Sequence, residues 1–358
     1  MKRFLLSIPV LYTLAANAQE KTRPANLPLL DSMTRAAEQN VYANIHSIVI
    51  AKEGKKVYER YFNGWNKDSL HDTRSAFKSV TSLLAGIALD KGFIKDIRQQ
   101  VYSFFPKYQP FKNPDARKGA MTVKDLLEMK SGFDCEEFND GKDCEDEMSE
   151  TNDWLKFSLD LPLKNAPGKV WAYTSCNPVI VGGIISQTAG MPVQRFAEQY
   201  LFRPLGIRKY RWTMDATGHV TTAGSFFMLP ADMLKLGELV RQNGTWQGRQ
   251  IVSSSWLRES TTATTVIRGF SFAEIGGVPA STTQAARYGY YWYRERIKTV
   301  RLAVDVLFAS GNGGQYIMII NELGLVVVFT QGNYGSRSAK RAFDLLVKYI
   351  LPAFSPQS

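Results

Sequence analysis

Two apolar hairpins, one near each end of the chain, constrain the fold more than any other feature. Near the start, "IHSIVIAKEGKKVYERYF" reads as two strands about a turn at Glu53-Gly54. Near the end, "GGQYIMIINELGLVVVFTQGNY" places two apolar runs either side of Asn321 to Gly324. Strand pairs at both ends with helices between them predict one antiparallel sheet assembled from the two termini. The expected class is therefore α/β in the α+β sense: a sheet from roughly 40–65 and 285–335, flanked by helices, with an all-helical subdomain inserted over roughly 76–225. Helical spacing is found in "TVKDLLEMKSG", "NDWLKFSLDL", "PVIVGGIISQTAG", "PVQRFAEQYLFRPLG", "PADMLKLGELVRQNG" and "SSSWLRESTTA", with further helices near Leu30 to Asn40 and Ser338 to Ile350.

The opening "MKRFLLSIPVLYTLAANA" has a basic start, an apolar run from Phe4 to Leu14 and a small-residue ending, the layout of a secretory signal peptide cut after Ala18. Residues 19–358 are then expected as one periplasmic or secreted domain without an integral membrane span. A net charge of +11 invites a nucleic-acid partner, but the basic residues are scattered and the densest charge run, "DCEEFNDGKDCEDEMSE", is acidic. No nucleic-acid partner is expected, and the acidic run reads as a solvated loop without an EF-hand alternation. Within it, Cys135 and Cys144 are close enough in sequence to pair in an oxidising compartment, leaving Cys176 over. No Cys/His spacing matches a zinc site, and no metal or organic cofactor is expected.

The chemistry-bearing stretch is "RSAFKSVTSLLAGIALDKG". Phe77, Val80, Leu84 and Ile87 recur at helical spacing and Gly92 follows as a stop, so Ser75 and Lys78 share a face. They read either as nucleophile and partner or as a helix-capping serine with a lysine reaching solvent. A Ser-His-Asp centre has little support: His46 falls in a strand, His71 precedes Ser75, His219 sits in a loop, and no Gly-x-Ser-x-Gly elbow occurs. In "PGKVWAYTSCNPVIVGGIISQTAG", Asn177 and Pro178 look like the cap and first position of a helix, which puts Tyr173 and Ser175 on its feeding loop. Tyr173 is either a proton carrier beside a lysine or a core aromatic. In "FASGNGGQYIMII", the glycines permit close backbone approach to a ligand, or simply a turn before a strand.

Ser-x-x-Lys, a Tyr-x-Ser loop and a small-residue third motif on a late strand resemble the serine β-lactamase and penicillin-binding protein superfamily. The chain is most similar to class C β-lactamase-related serine hydrolases, especially the group resembling 6-aminohexanoate-dimer hydrolase, and the likeness runs from about Leu30 to the C-terminus. The resemblance implies a β-lactamase/transpeptidase-like fold, Ser75 as nucleophile, Lys78 as its partner and Tyr173 in the Tyr-x-Asn position, with Ser175 where the family has asparagine. It places Ala309, Ser310 and Gly311 at the Lys-Thr-Gly motif, with Asn312 supplying an oxyanion N–H beside that of Ser75; Gly311-Asn312-Gly313 is the alternative register. In both registers the motif's lysine is missing. Losing a charge-assisted partner forfeits about 1.5–3 kcal/mol, so β-lactams should be poor substrates. Trp171, Tyr290 and Trp292 are candidates to line an apolar acyl pocket.

The expected activity is hydrolysis of a small-molecule ester, amide or peptide through an acyl-enzyme, with Lys78 and Tyr173 sharing the proton work in either order. The rivals are a D,D-peptidase or β-lactamase, and a non-catalytic relative that binds peptidoglycan fragments through the same cleft.

Overall fold

The computed structural model describes residues 27–137, 143–299 and 302–355; the expected leader lies outside them. Its main sheet has eight strands. The first hairpin supplies β1 (Ile45–Lys52) and β2 (Lys55–Tyr61). The later part of the chain supplies β3 (Thr265–Val266), β4 (Arg287–Gly289), β5 (Trp292–Lys298), β6 (Ala303–Gly311), β7 (Gln315–Ile320) and β8 (Leu325–Gln331). Their order is β2-β1-β8-β7-β6-β5-β4-β3, and each neighbouring pair is antiparallel. The two ends of the chain therefore meet as the second and third strands of one sheet, with Ile48 opposite Phe329 and Ile50 opposite Val327. The β1–β2 turn has φ of 49° at Glu53 and 76° at Gly54, the left-handed pair that a two-residue hairpin requires.

Strands β7 and β8 are buried along their whole length because helices cover both faces. On one face, Phe343 of the helical segment 342–354 packs edge-on against Phe308 and Tyr316, and Asp344 accepts a 2.6 Å hydrogen bond from Tyr42 Oη. α1 (Leu27–Glu38) precedes Tyr42 and buries Leu30 and Met33. The opposite face takes the long helix Pro230–Arg241. There Gly237 lets the helix approach so closely that a Cβ would stand 2.4 Å from Val326 and 2.8 Å from Ile317.

The helical insertion leaves and re-enters at one place. His71–Asp72 pairs with Phe227–Met228, which also pairs with Tyr210–Arg211, so a three-stranded ribbon ties both ends of the insertion together. Its central helix is α2 (Phe77–Asp90), buried continuously from Phe77 to Ala88. A helix surrounded on all sides cannot keep a polar face in water. Its polar residues instead bond inward: Ser79 to the Tyr291 carbonyl at 2.6 Å and Thr81 to the Thr222 carbonyl at 2.6 Å. Among the described residues no helix is long and apolar enough to cross a membrane.

The Tyr173 loop leads into α3 (Cys176–Ala189), which ends at Gly190 with φ 63° as expected for a glycine stop. The helix begins at Cys176, two residues before the expected first position Pro178. Asn177 is buried inside the first turn, where its Nδ2 reaches the Met129 sulfur at 3.4 Å, so it is a packing residue and Ser175 occupies the cap position.

Candidate active site

Ser75 lies in a 3₁₀ turn (Arg74–Ala76) that runs directly into α2. Arg74 is held at φ 47°, a left-handed conformation that a long side chain seldom adopts, and this kink turns the serine out of the helix line. Neither the turn nor α2 has a side-chain cap, so Ser75 is not a capping serine. Nor does Lys78 reach solvent: it is 1% exposed. Its Nζ lies 3.0 Å from Ser75 Oγ, 3.0 Å from Ser175 Oγ and 2.9 Å from the Ala223 carbonyl oxygen. The helical i, i+3 relation thus becomes a real contact because tertiary packing denies the lysine any other route.

Tyr173 stands on the other side of the serine. Its hydroxyl reaches the side chains of Ser75 and Tyr293, and Lys78 Nζ sits 4.9 Å from its ring centre. Burial pushes the Tyr173 pKa well above that of an ordinary phenol, although the Ser75 contact pulls the other way. Burial also lowers the Lys78 pKa, opposed by the carboxylates of Glu145 and Glu137. Desolvation therefore favours the neutral form of both groups, and the phenolate that an adjacent ammonium would promote is not the favoured state.

The third motif closes the site from β6. A Cβ on Gly311 would lie 2.3 Å from the Thr73 carbonyl oxygen and 3.1 Å from the Ala76 nitrogen, so this glycine touches the backbone of the Ser75 turn. Gly313, in contrast, lies under the Tyr334 ring, which matches the register with Ala309, Ser310 and Gly311 at the motif. Ala309 is fully buried and offers no charge. Ser310 alternates to the face opposite Gly311 and bonds Tyr316, so its side chain does not support the centre. Asn312 is exposed at the strand end, where its Oδ1 accepts the Gly335 N–H at 2.9 Å.

The aromatic candidates divide. Trp171 packs edge-on against Tyr288 at 5.6 Å and lies 6.4 Å from the Tyr173 ring, beside the centre. Tyr290 and Trp292 do not line it. Tyr290 gives its hydroxyl to Glu259 at 2.9 Å and packs on Trp256, which itself rests on Gly86 far along α2. Trp292 faces away, paired with Gly289. The reason is a tight turn at Tyr290 and Tyr291, both with positive φ, which makes "YGYYWY" a hairpin and sets Tyr288 opposite Tyr293. Tyr288 and Tyr293 join Trp171 as aromatic residues that reach Tyr173. Tyrosines in place of the usual Asn-Gly hid this turn from a reading of the sequence.

Glu137 also escaped that reading. It belongs to the acidic run expected to be solvated, yet it is half-buried against the Tyr173 loop. Ser175 donates to it twice, from N–H at 2.6 Å to Oε1 and from Oγ at 2.8 Å to Oε2, and Thr174 Oγ1 donates at 3.2 Å. Burial raises its pKa to about 7, against the pull of Lys78. The Cys135–Cys144 disulfide forms, with Cα atoms 6.1 Å apart, and pins this segment; Cys176 is free and buried, its thiol pushed up to about 12 by desolvation. Nothing in one sequence separates Glu137 from its acidic neighbours, beyond its place two residues after a bridged cysteine.

The histidines have other partners. His46 stacks on Trp65 at 4.4 Å and His71 packs at a tilt 4.2 Å from the same ring, where burial depresses both, and His219 Nδ1 bonds Thr217 Oγ1 at 2.8 Å. Two groups of possible metal ligands lie close together, Asp153/Asp215/His219 and Glu137/Asp143/Glu145. Their central carboxylates are already spent on hydrogen bonds: Asp215 accepts from the N–H groups of Trp154, Thr217 and His219, and Glu137 from Ser175 and Thr174. Neither donor set suits a resident cation.

A serine and a buried lysine at the head of a central helix, facing the glycine-ended strand of an antiparallel sheet, define a serine hydrolase of the β-lactamase and penicillin-binding protein superfamily. The chain belongs to the β-lactamase family, whose model matches residues 38–349. Solved structures share the fold at low identity. A Bacillus anthracis protein provisionally described as a 6-aminohexanoate-dimer hydrolase is 17% identical, with a TM-score of 0.68 over 93% of this chain and 83% of that one. An octameric penicillin-binding protein homologue from Pyrococcus abyssi is 19% identical, with a TM-score of 0.65 over 89% and 77%. A family VIII carboxylesterase is 14% identical, with a TM-score of 0.66 over 90% and 96%.

Proposed function

We propose that the protein is an exported esterase or amidase that works through an acyl-enzyme on Ser75. The single observation that carries this is the position of Lys78 Nζ, 3.0 Å from Ser75 Oγ and shut off from water. Ser75 Oγ attacks the substrate carbonyl carbon and its proton passes to Lys78, which desolvation keeps neutral enough to accept it. The oxyanion is held by the N–H groups of Ser75 and Asn312, brought together by the contact at Gly311. Tyr173, kept protonated by burial, gives its proton to the departing alcohol or amine and recovers one from Lys78. The bond to the leaving group breaks as the acyl-enzyme forms, and water then reverses the steps to release the acid and restore Ser75.

Neutral esters and amides suit this centre better than β-lactams, because Ala309 brings no cation to the site where the family's lysine holds a substrate carboxylate. Trp171 and Tyr288 give the acyl side an aromatic wall. Export is supported by the Cys135–Cys144 bridge, a linkage that reducing cytosols seldom maintain. Hydrolysis of p-nitrophenyl acetate, together with fluorophosphonate labelling, tests the proposal. Wild-type protein should turn over the ester and take the label; Ser75→Ala should lose both with an unchanged melting temperature. Turnover that survives in Ser75→Ala removes Ser75 as nucleophile.

A further inference from the structure

We propose that Glu137 is a positioning residue that sets the direction of the hydrogen bonds around Lys78, so that the amine's lone pair faces Ser75. The inference rests on the Ser75–Lys78 reading above and adds a residue that the family's three motifs do not contain.

The hydrogen-bond directions follow from which atoms can only accept. Above its raised pKa of about 7 Glu137 is ionised, and an ionised carboxylate has no proton to give. Both Glu137 oxygens lie on Ser175, Oε1 on its N–H and Oε2 on its hydroxyl, so the Ser175 proton must point to Glu137. Ser175 Oγ then has only lone pairs to offer Lys78. The Ala223 carbonyl, the second neighbour of Nζ, is also an acceptor only. A neutral amine has two N–H groups and one lone pair. Its two donors are claimed by Ser175 Oγ and Ala223 O, at 3.0 and 2.9 Å, and the remaining direction is Ser75 Oγ at 3.0 Å. The lone pair therefore faces the nucleophile's proton, the arrangement that a general base needs.

The Glu137 segment is built to hold this arrangement. Its N–H donates to the Tyr173 carbonyl at 2.8 Å, and the bridged Cys135 sulfur lies 3.1 Å from Thr174 Oγ1, so the segment is stitched to the Tyr173–Ser175 loop from both sides. The charged and titratable groups around Glu137 are Lys78 from α2, Glu145 and Asp143 from the far side of the disulfide loop, and Tyr173, Cys176 and Tyr288 across the centre. Lys78 is the one cation among these, so removing the Glu137 charge destabilises its ammonium form.

Glu137→Gln tests the polarity. Glutamine keeps the size, but its amide N–H₂ would donate to Ser175 Oγ, and the Ser175 proton would turn to Lys78 and occupy its lone pair. The rate of p-nitrophenyl acetate turnover at its plateau should fall on the order of 10²-fold, within the range of a misdirected general base, with KM little changed. The acid limb of the kcat/KM profile should move to lower pH, whereas simple loosening would hydrate Lys78 and move it higher. Glu137→Asp, which retains an acceptor-only carboxylate, should recover at least part of the rate. In a Ser175→Ala background Glu137→Gln should add no further loss, since the relay is already cut.

Turnover within threefold of wild type with a superimposable pH profile in Glu137→Gln overturns the proposal, as do independent, multiplying losses for Glu137→Gln and Ser175→Ala. Should the glutamine variant fail to fold, Ser175→Ala alone decides: a plateau rate within threefold of wild type in that variant overturns it. Ser75→Ala run alongside separates the two readings. If that variant stays active, the assignment of the nucleophile is wrong; if it is dead while the Glu137 variants behave as wild type, only the role of Glu137 is wrong.

Discussion

Gly311→Ala is a sharp test of how the site is assembled. Gly311 is ordinary strand backbone at the end of β6, so alanine meets no conformational penalty there and any cost is steric. The new methyl would stand 2.3 Å from the Thr73 carbonyl oxygen and 3.1 Å from the Ala76 nitrogen, both backbone atoms of the turn that carries Ser75. An ordinary contact begins near 3.4 Å, so strand and turn must part by about 1 Å. The N–H groups proposed to hold the oxyanion lie on the two sides of that gap. A misplacement of about 1 Å costs on the order of 10²-fold in rate, and loss of one oxyanion donor about 10²–10³-fold. Overpacking should cost about 1–3 kcal/mol of stability.

The assay is kcat and KM on p-nitrophenyl acetate alongside thermal melting, with Gly237→Ala as the comparison. That substitution crowds the side chains of Val326 and Ile317 under the Pro230–Arg241 helix, where its nearest neighbours are sheet side chains and not backbone of the Ser75 turn. It should lower the melting temperature while kcat/KM per folded molecule stays within threefold of wild type. Gly311→Ala should instead lose at least 10²-fold in kcat at a temperature where it is fully folded. A folded Gly311→Ala protein with wild-type kcat would show that the β6–Ser75 contact does not set the oxyanion geometry.

Other consequences can be checked with the same protein. Lys78 works as a base only when neutral and burial lowers its pKa, so kcat/KM should rise with pH through an inflection below the ordinary lysine value of about 10.4. The linked stability has the same sign: an amine depressed in the folded state costs nothing above its unfolded pKa, and stability declines as pH falls toward the folded value, which urea titrations at several pH values would register. Reducing Cys135–Cys144, or replacing both with serine, should cost about 2–3 kcal/mol and lower the melting temperature. It should also depress turnover, because the bridge anchors the Glu137 segment; an unchanged rate in the reduced protein would sever that link. Nitrocefin should be a poor substrate, more than tenfold below p-nitrophenyl acetate in kcat/KM, since Ala309 leaves its carboxylate without the family's partner. Comparable values for the two substrates would restore the β-lactamase alternative.

Much of this molecule was legible in the order of its residues. The apolar runs at 45–52 and 315–331 could be buried only as strands, and their pairing across the chain follows from having nowhere else to go. Helical spacing put Ser75 and Lys78 on one face, and the glycines of the third motif marked a close backbone approach. Those are local properties, written in side-chain period and backbone freedom. The pKa values of Lys78 and Tyr173 depend instead on how completely neighbouring elements exclude water, which no spacing encodes. The same holds for which aromatics face the centre, since a hairpin turn built from Tyr290 and Tyr291 inverted the expected choice. It holds most of all for Glu137, one acid in an acidic run, drawn inward because a disulfide and the Tyr173 loop close over it. Sequence determined which elements form and which groups can react; only the tertiary structure decided which of those groups lose their water, and water loss is what changes their chemistry.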